Sequence, residues 1–286
     1  MTEAPLAWEK LMNFQASLEG TYHKEMIYAL GAQGVNRNLE GKFKDSHSRK
    51  TCSREDVNWN LKGEFKCVNG NKYLHYELTN VNGNSYQTAF CLNARYGFAL
   101  DRTASSSSWE VGFFETRKNR ILDRLGRQGA VLHMDCTIDG QSLLWMVKQS
   151  GFQLKNARTF EKEGKELVEI HFATNSYLFD DNRILGGRVV LDASNFWAVQ
   201  EYEVQGKAEA EDTDDTRKGR VEYAGHLDGF PLPKRSVIDY NVGAGYSCQQ
   251  TITLDVLRKC VAPDSDFTLA AFGLPEISEP SESEQR

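Results

Sequence analysis

The sequence predicts a mainly β protein with a few helices, in which the strands form one large, curved antiparallel sheet. Apolar or small residues alternate with polar ones from Trp59 to Cys67, as in a strand that buries one face and wets the other. The turn sequence Val-Asn-Gly-Asn occurs twice, at Val68–Asn71 and Val81–Asn84. Strand-like segments then recur about every dozen residues as far as Val261, separated by turn signals. This spacing is typical of a large antiparallel sheet.

The two identical turns predict a meander in the first half of the chain. Asn and Gly tolerate the positive φ angles of tight hairpin turns, so each Val-Asn-Gly-Asn reverses the chain. Between and after the turns, apolar residues keep the period of two. These residues are Leu74, Tyr76, Leu78, Tyr86, Phe90 and Leu92.

Helices are predicted at the N-terminus and in a central insert. Leu6 to Leu18 places Trp8, Leu11, Met12 and Leu18 near one helical face, and Gly20 ends it before a strand over Thr21–Leu30. Arg117–Gln128 also has helical spacing, and Ser142 leads into a capped, buried helix that begins at Leu143 and ends near Gly151. We therefore expect a helical insert near residues 117–150 that, with the first helix, roofs the sheet.

The β pattern resumes after the insert. A hairpin at Gly164 joins Phe152–Phe160 to Glu166–Ala173, and Gly186-Gly187 precedes a strand over Arg188–Leu191. Further segments are then predicted: a strand over Trp197–Val204, a long polar loop over Gly206–Gly219, a strand over Arg235–Val242 introduced by Pro231 and Pro233, and a strand over Cys248–Val256. We expect one domain over residues 1–275, followed by a disordered polar tail over residues 276–286.

The composition excludes several classes of partner. The 286 residues carry a formal net charge of -6, which gives no advantage in binding nucleic acid or anionic lipid surfaces. No stretch approaches the ~20 apolar residues of a membrane helix. The first residues lack the basic start and apolar core of a secretory signal. Two interpretations remain open: the protein stays inside the cell, or an export segment precedes the sequence given.

The cysteines and histidines do not form a recognisable metal or redox motif. Cys67, Cys91 and Cys248 fall at strand positions and are predicted to be buried free thiols, whereas Cys52 and Cys260 lie among polar residues and could pair with another group. His133 and Cys136 lack the second ligand pair that zinc needs. We therefore predict no metal and no cofactor.

The acidic segment and the histidines are interpreted as solvated or structural rather than catalytic. Glu209, Glu211, Asp212, Asp214 and Asp215 are predicted to form a solvated loop tip instead of a calcium site, because the spacing of a calcium loop is absent. No nucleophile or dinucleotide motif occurs, so we predict that the protein is not an enzyme. A cleft that joins His75, His133 or His171 to carboxylates would contradict this.

Aromatic residues supply the candidate ligand-binding surface. They concentrate in the first β region and in the insert, where they either fill a core or line a cavity, and periodicity does not distinguish the two. The candidate ligand-binding residues are Trp59, Phe65, Tyr76, Phe90, Trp109 and Trp145.

Four segments resemble parts of known proteins, and three of them resemble the same family. Leu11–Tyr22 looks like the helix of the periplasmic lipoprotein-carrier (Lol-type) superfamily running into its first strand, and Gly187–Asp192 with Gly229–Arg235 resembles a later pair of its strands. The ending Asp266–Glu276 looks like that of uncharacterised exported proteins of planctomycete-type bacteria. The resemblance implies a half-open barrel, a periplasmic or exported location, and a non-catalytic carrier that binds an acyl chain or another apolar ligand on the concave face of the sheet. The alternative is a structural or protein-interaction module with a solid core and no small-molecule ligand.

Overall fold

The computed structural model describes most of the chain, in nine ranges. They are residues 3–30, 59–79, 85–103, 106–116, 136–138, 140–177, 182–208, 213–242 and 246–276. The helices are α1 (Glu3–Gln15) and α2 (Leu143–Val147), and two 3-10 turns follow at Asp264–Phe267 and Leu269–Phe272. The strands are β1 (Leu18–Leu30), β2 (Trp59–Val68), β3 (Asn71–Thr79), β4 (Ser85–Leu92), β5 (Gly97–Thr103), β6 (Glu110–Glu115), β7 (Thr137–Ile138), β8 (Gln141–Ser142), β9 (Gln153–Lys162), β10 (Lys165–Tyr177), β11 (Asn182–Asp192), β12 (Ala198–Ala208), β13 (Thr213–Leu227), β14 (Phe230–Val242) and β15 (Tyr246–Lys259).

Thirteen of these strands form one antiparallel sheet. Their order is β6-β5-β4-β3-β2-β1-β15-β14-β13-β12-β11-β10-β9, and β7 and β8 form a separate small pair. Neighbouring strands in this sheet are consecutive in the chain except for β1 and β15, whose pairing joins the two halves, and β6 and β9 are the two edges. The predicted meander is confirmed, and its first turn has Asn69 and Gly70 at φ 52° and 80°. The second predicted turn, at Val81–Asn84, lies outside the described residues.

The sheet curves around α1. Leu74 of β3 and Ile170 of β10 belong to one buried cluster that also contains Leu11 of α1. Eight strand spacings separate β3 from β10, which is about 38 Å on a flat sheet. α1 is about 20 Å long and about 10–12 Å wide, so one cluster that includes this helix and both strands indicates that the sheet bends around it. We call the face that packs against α1 the concave face and the opposite face the convex face.

The sheet is open in the part of the chain that the structure describes. β6 and β9 each have one neighbouring strand there, so the arrangement is a half-open barrel. β9 is exposed along nearly its whole length. Within the same residues, no helix has both the length and the apolar character needed to cross a bilayer.

The C-terminal segment covers part of the convex face. Phe272 packs against Phe98, Tyr73 and Trp109, at ring-centroid distances of 5.8, 6.2 and 5.6 Å. Leu269 joins this second cluster, whose sheet residues include Cys91. Residues 264–276 therefore form a strap over an apolar part of the convex face.

Several sequence predictions are corrected here. The prediction of a long polar loop over Gly206–Gly219 is wrong, because β12 continues to Ala208 and β13 starts at Thr213. Gly186 and Gly187 lie inside β11 rather than before a strand.

Two further boundaries shift. Gly20 lies within β1, since α1 already ends at Gln15. β14 begins at Phe230 and includes both prolines, which is tolerated because its pairing with β15 starts only at Arg235. The predicted helix over Arg117–Gln128 and the polar tail beyond Glu276 lie outside the described residues.

Candidate functional site on the concave face

α1 lies across the concave face and buries one stripe of its surface. Trp8, Leu11 and Phe14 are spaced three residues apart and are all buried, so they share one helical face. The Phe14 ring stacks on Phe230 at a centroid distance of 4.4 Å. The Trp8 indole N–H donates to the carbonyl oxygen of Trp197 at 2.8 Å, which fixes the helix next to the turn before β12.

α2 and the short strands before it complete the roof. The Ser142 hydroxyl oxygen accepts a hydrogen bond from the Trp145 backbone N–H at 3.3 Å, so Ser142 caps the helix as predicted. Leu143 and Met146 face the core. Ser142 Oγ also lies 3.7 Å from Met12 Sδ, which connects the two roof helices.

A small apolar cavity lies between the roof and the sheet. Its volume is about 40 Å³. It is lined by Ala4, Pro5, Trp8, Leu143, Val147, Phe152, Ile170, Phe172 and Val189. All nine residues are apolar, and they come from α1, α2, the segment after α2, β10 and β11. Typical ligand sites have volumes of about 300–1,000 Å³, so the cavity is too small for a ligand unless the roof moves outward.

Large apolar side chains that are exposed to solvent lie next to residues of this cavity. Leu6 follows Pro5 and is 62% exposed, and Trp145 lies between Leu143 and Val147 and is 42% exposed. Leu154 of β9, paired with Phe172, is 45% exposed. Leu6 and Trp145 are each two residues from a buried residue of the same helix, so they lie on the outer sides of α1 and α2, whereas Leu154 lies on the edge strand.

The structure brings three of the six predicted site residues together. Phe65 belongs to the buried cluster on the concave face. Tyr76 and Phe90 are partly buried and pack against this cluster, with their ring centroids 6.2 Å apart. Trp109 instead packs on the convex face beneath the strap, where the Arg102 guanidinium lies 4.3 Å from its ring centroid. Trp145 points away from the core.

Trp59 is the first residue of β2, and its side chain lies outside the described part of the structure. Trp8, Phe172 and Val189 line the cavity but are not among the six predicted site residues. Period-two alternation marks Phe172 and Val189 as inward-facing, but it does not show that a helix leaves a gap above them.

The concave face becomes polar towards the N-terminal end of β13. Asp215 and Arg217 are both buried there, and Arg217 Nη2 donates to Asp215 Oδ2 at 2.6 Å. The prediction of a solvated loop tip is therefore wrong for Asp215, because this residue lies on an inward position of a strand. Glu209, Glu211 and Asp212 lie outside the described residues, and no side-chain placement is described for Asp214.

A network of charges crosses the convex face of β9 to β12. Glu169 is buried and accepts hydrogen bonds from Arg158 Nε at 2.8 Å and from Arg188 Nη1 at 3.0 Å. His171 Nε2 lies 2.9 Å from the same carboxylate. Burial alone would raise the pKa of Glu169, but these hydrogen bonds outweigh it and lower the pKa to about 2.

Two of the histidines considered as catalytic candidates, His75 and His171, are each near a carboxylate but not near one another. His75 is on β3, and its Nδ1 lies 3.8 Å from Oε1 of Glu64 on β2. His171 and Glu169 are both on β10 and contact each other. Both pairs are on the convex face, in opposite halves of the sheet. His133 lies outside the described residues. Among the residues that the structure does place, no group of three metal-ligating side chains occurs.

The prediction of buried thiols outside any disulfide is confirmed at three positions. Cys67, Cys91 and Cys248 are buried and in no disulfide, and burial raises the pKa of Cys67 to about 11. Cys260 is buried and in no disulfide, and its thiol hydrogen-bonds to Glu19 and lies near Lys66, in the polar surroundings that were predicted for it. Cys52 lies outside the described residues.

Comparisons with known proteins find weak structural similarities but no family. No protein-family model matches the chain, and no curated protein matches it. The structure is similar to the LolA superfamily protein NE2245 from Nitrosomonas europaea, with a TM-score of 0.41 and 12% identity over 94% of this chain and 99% of that one. It is also similar to MucB in complex with MucA(peri), with a TM-score of 0.19 and 8% identity over 91% of this chain and 99% of that one. Similarities this weak carry no conclusion about function.

Proposed function

We propose that this protein is a non-catalytic carrier that binds an apolar chain between its helical roof and the concave face of the sheet. The observation that carries the proposal is the wholly apolar cavity beneath α1 and α2, together with the exposed Leu154 of the edge strand, which pairs with the lining residue Phe172. A cavity at this junction gives an entering chain a place to begin displacing the roof.

The contacts that hold the roof favour such an exchange. Trp8, Leu11 and Phe14 attach α1 mainly by apolar packing, which is non-directional and can be replaced by the packing of a ligand. Each methylene that is buried contributes about 0.8 kcal/mol. A twelve-carbon chain therefore gains about 9 kcal/mol before the cost of moving the roof.

The placement of the histidines supports a function without catalysis. Glu169 is held by three hydrogen-bonding partners and has a lowered pKa, which suits a structural anion rather than a general base. His75 and His171 both lie on the face opposite the cavity. The proposal therefore assigns no reacting group to the concave face.

The proposal is tested by filling the cavity. Val147→Trp places a large side chain in the lining, and Val261→Trp, at a position that is 87% exposed, is the matched control. Each variant is delipidated, incubated with dodecanoate, dodecanamide or dodecyltrimethylammonium, and examined by native mass spectrometry. We expect the wild type and Val261→Trp to retain at least one of these amphiphiles, and Val147→Trp to bind it at least about tenfold more weakly, equivalent to about 1.4 kcal/mol. Absence of uptake by the wild type would contradict the proposal.

The small size of the cavity favours a second candidate function, an interaction module with a solid core. At about 40 Å³ the space is compatible with ordinary imperfect packing, and the exposed edge strand β9 offers backbone groups for pairing with another chain. A wild-type protein that binds none of the three amphiphiles, while Val147→Trp only loses stability, would favour this alternative.

A further inference from the structure

An ion pair is buried in the otherwise largely apolar concave face. Every second residue of β13 faces inward, and Asp215 and Arg217 are on this side together with Gly219 and Val221. Their side chains are only 5% and 6% exposed. The residues opposite them on β12 are Gly206 and Val204, and Val204 is fully buried.

This arrangement is costly for a protein that only needs a core. Removing two charges from water is commonly not repaid by their mutual attraction, and apolar replacements are often equally stable. One carboxylate oxygen, Asp215 Oδ1, is buried without a hydrogen-bond partner among the described residues. A buried acceptor of this kind costs about 1–3 kcal/mol. Such groups in folded proteins call for an explanation in terms of function, strain or a bound molecule.

The Asp215 carboxylate lies against the backbone of β12 at Gly206. A Cβ atom on Gly206 would lie 2.1 Å from Asp215 Oδ1, so any side chain at Gly206 would displace the carboxylate. Glycine weakens a strand interior, and here it leaves the recess that holds Asp215.

The ion pair is aligned with the apolar cavity. Arg217 pairs with Val204, Val204 with Gly187, and Gly187 with Phe172, which lines the cavity. Three strand spacings correspond to about 14 Å. A ligand that lies across the strands can therefore have its polar end at Asp215 and its apolar end beneath the roof, and Gly187 offers no side chain to obstruct it.

We infer that Asp215 and Arg217 bind the polar headgroup of the ligand, and that this headgroup is uncharged and carries both a hydrogen-bond donor and an acceptor, as a primary amide does. The inference rests on the proposed carrier function. Asp215 Oδ1 accepts from the donor, and the Arg217 guanidinium donates to the acceptor. An anionic headgroup would be repelled by the carboxylate, and a quaternary ammonium offers no donor.

The inference is tested by comparing headgroups on one chain length. Dissociation constants of dodecanamide, dodecanoate and dodecyltrimethylammonium are measured by calorimetry for the wild type and for Asp215→Leu/Arg217→Met. The matched control is Glu203→Leu/Lys218→Met, which removes a solvent-exposed ion pair joining the same two strands, with Lys218 Nζ 3.1 Å from Glu203 Oε1. We expect the wild type and the control to prefer dodecanamide at least about tenfold, the effect of one charge-assisted hydrogen bond. In Asp215→Leu/Arg217→Met this preference should fall below about threefold, while binding of the chain persists.

A single substitution keeps the test informative if that double variant does not fold. Asp215→Asn preserves the shape but leaves the Arg217 charge without its carboxylate, so preference should shift towards dodecanoate. Equal binding of all three amphiphiles by the wild type, or a preference unchanged in Asp215→Asn, would overturn the inference and leave the carrier function standing. Failure of the wild type to bind any of them would overturn the carrier function itself.

Discussion

Two buried carboxylates, one on each face of the sheet, have very different surroundings. Glu169 on the convex face is fully engaged by Arg158, Arg188 and His171. Asp215 on the concave face engages Arg217 through one oxygen and leaves the other unmatched within the described residues. The first arrangement stabilises the sheet, and the second has the form of a site that a ligand completes.

Glu169→Gln tests the structural role of the first carboxylate. The pKa of Glu169 is about 2 in the folded protein and near its ordinary value when unfolded. Its contribution is therefore fully present above about pH 4.5 and is lost as the pH falls towards 2. We expect the free energy of unfolding at pH 7 to drop by about 2 kcal/mol, after allowance for solvent around the exposed Arg158.

The measurement is urea denaturation from pH 7 down to pH 2, with Glu166→Gln, an exposed position on the same strand, as the control. The difference between Glu169→Gln and the wild type should shrink as the pH falls through this window. A difference that stays constant across the window would contradict the assignment.

At the scale of elements, the C-terminal strap is held by a few identifiable groups. The Tyr96 hydroxyl donates to Glu276 Oε2 at 2.7 Å and accepts from the Leu269 backbone N–H at 3.3 Å. The hydrogen bond from Tyr96 is the main reason that the pKa of Glu276 is lowered. Tyr96, in the turn between β4 and β5, thus attaches the strap to the sheet at two points.

Tyr96→Phe should loosen the strap without unfolding the sheet. Two hydrogen bonds are lost, which costs about 1–2 kcal/mol, and the pKa of Glu276 returns towards its ordinary range. Hydrogen exchange should accelerate in residues 264–276 but not in β10 or β11, whereas Tyr86→Phe, at a side chain that is 45% exposed, should leave both unchanged. Equal exchange in the strap of Tyr96→Phe and the wild type would show that the apolar contacts of Phe272 alone hold it.

The elements that could be predicted are those whose local pattern agrees with their final surroundings. The hairpin between β9 and β10 has Gly164 at its turn, at φ 73°, and Ser142 caps α2 as its position before an apolar run indicates. The start of β13 could not be predicted, because Asp215 and Arg217 occupy inward positions where the pattern expects apolar residues. Local polarity indicated a loop, and only the pairing with β12 and β14 shows a strand.

For the whole molecule, the sequence predicted a curved sheet with a roof but did not predict what the roof covers. Phe65, Tyr76 and Phe90 do face inward together. Trp109 is on the other face because the strap provides it with a second apolar cluster, and the sequence pattern of the strap gives no sign of where it packs. Periodicity assigns a residue to a face of a strand, but which face becomes concave depends on the position of α1.

The central claim is that an apolar chain lies beneath the roof, and its most direct test is the position of a heavy atom at the chain end. Crystals grown with ω-bromododecanamide would be measured for anomalous scattering at the bromine edge. We predict one bromine peak among Trp8, Phe172 and Val189, with α1 displaced outward from the sheet. Bromine found only on the convex face, or no ordered bromine in crystals of a protein saturated with this amphiphile, would contradict the account.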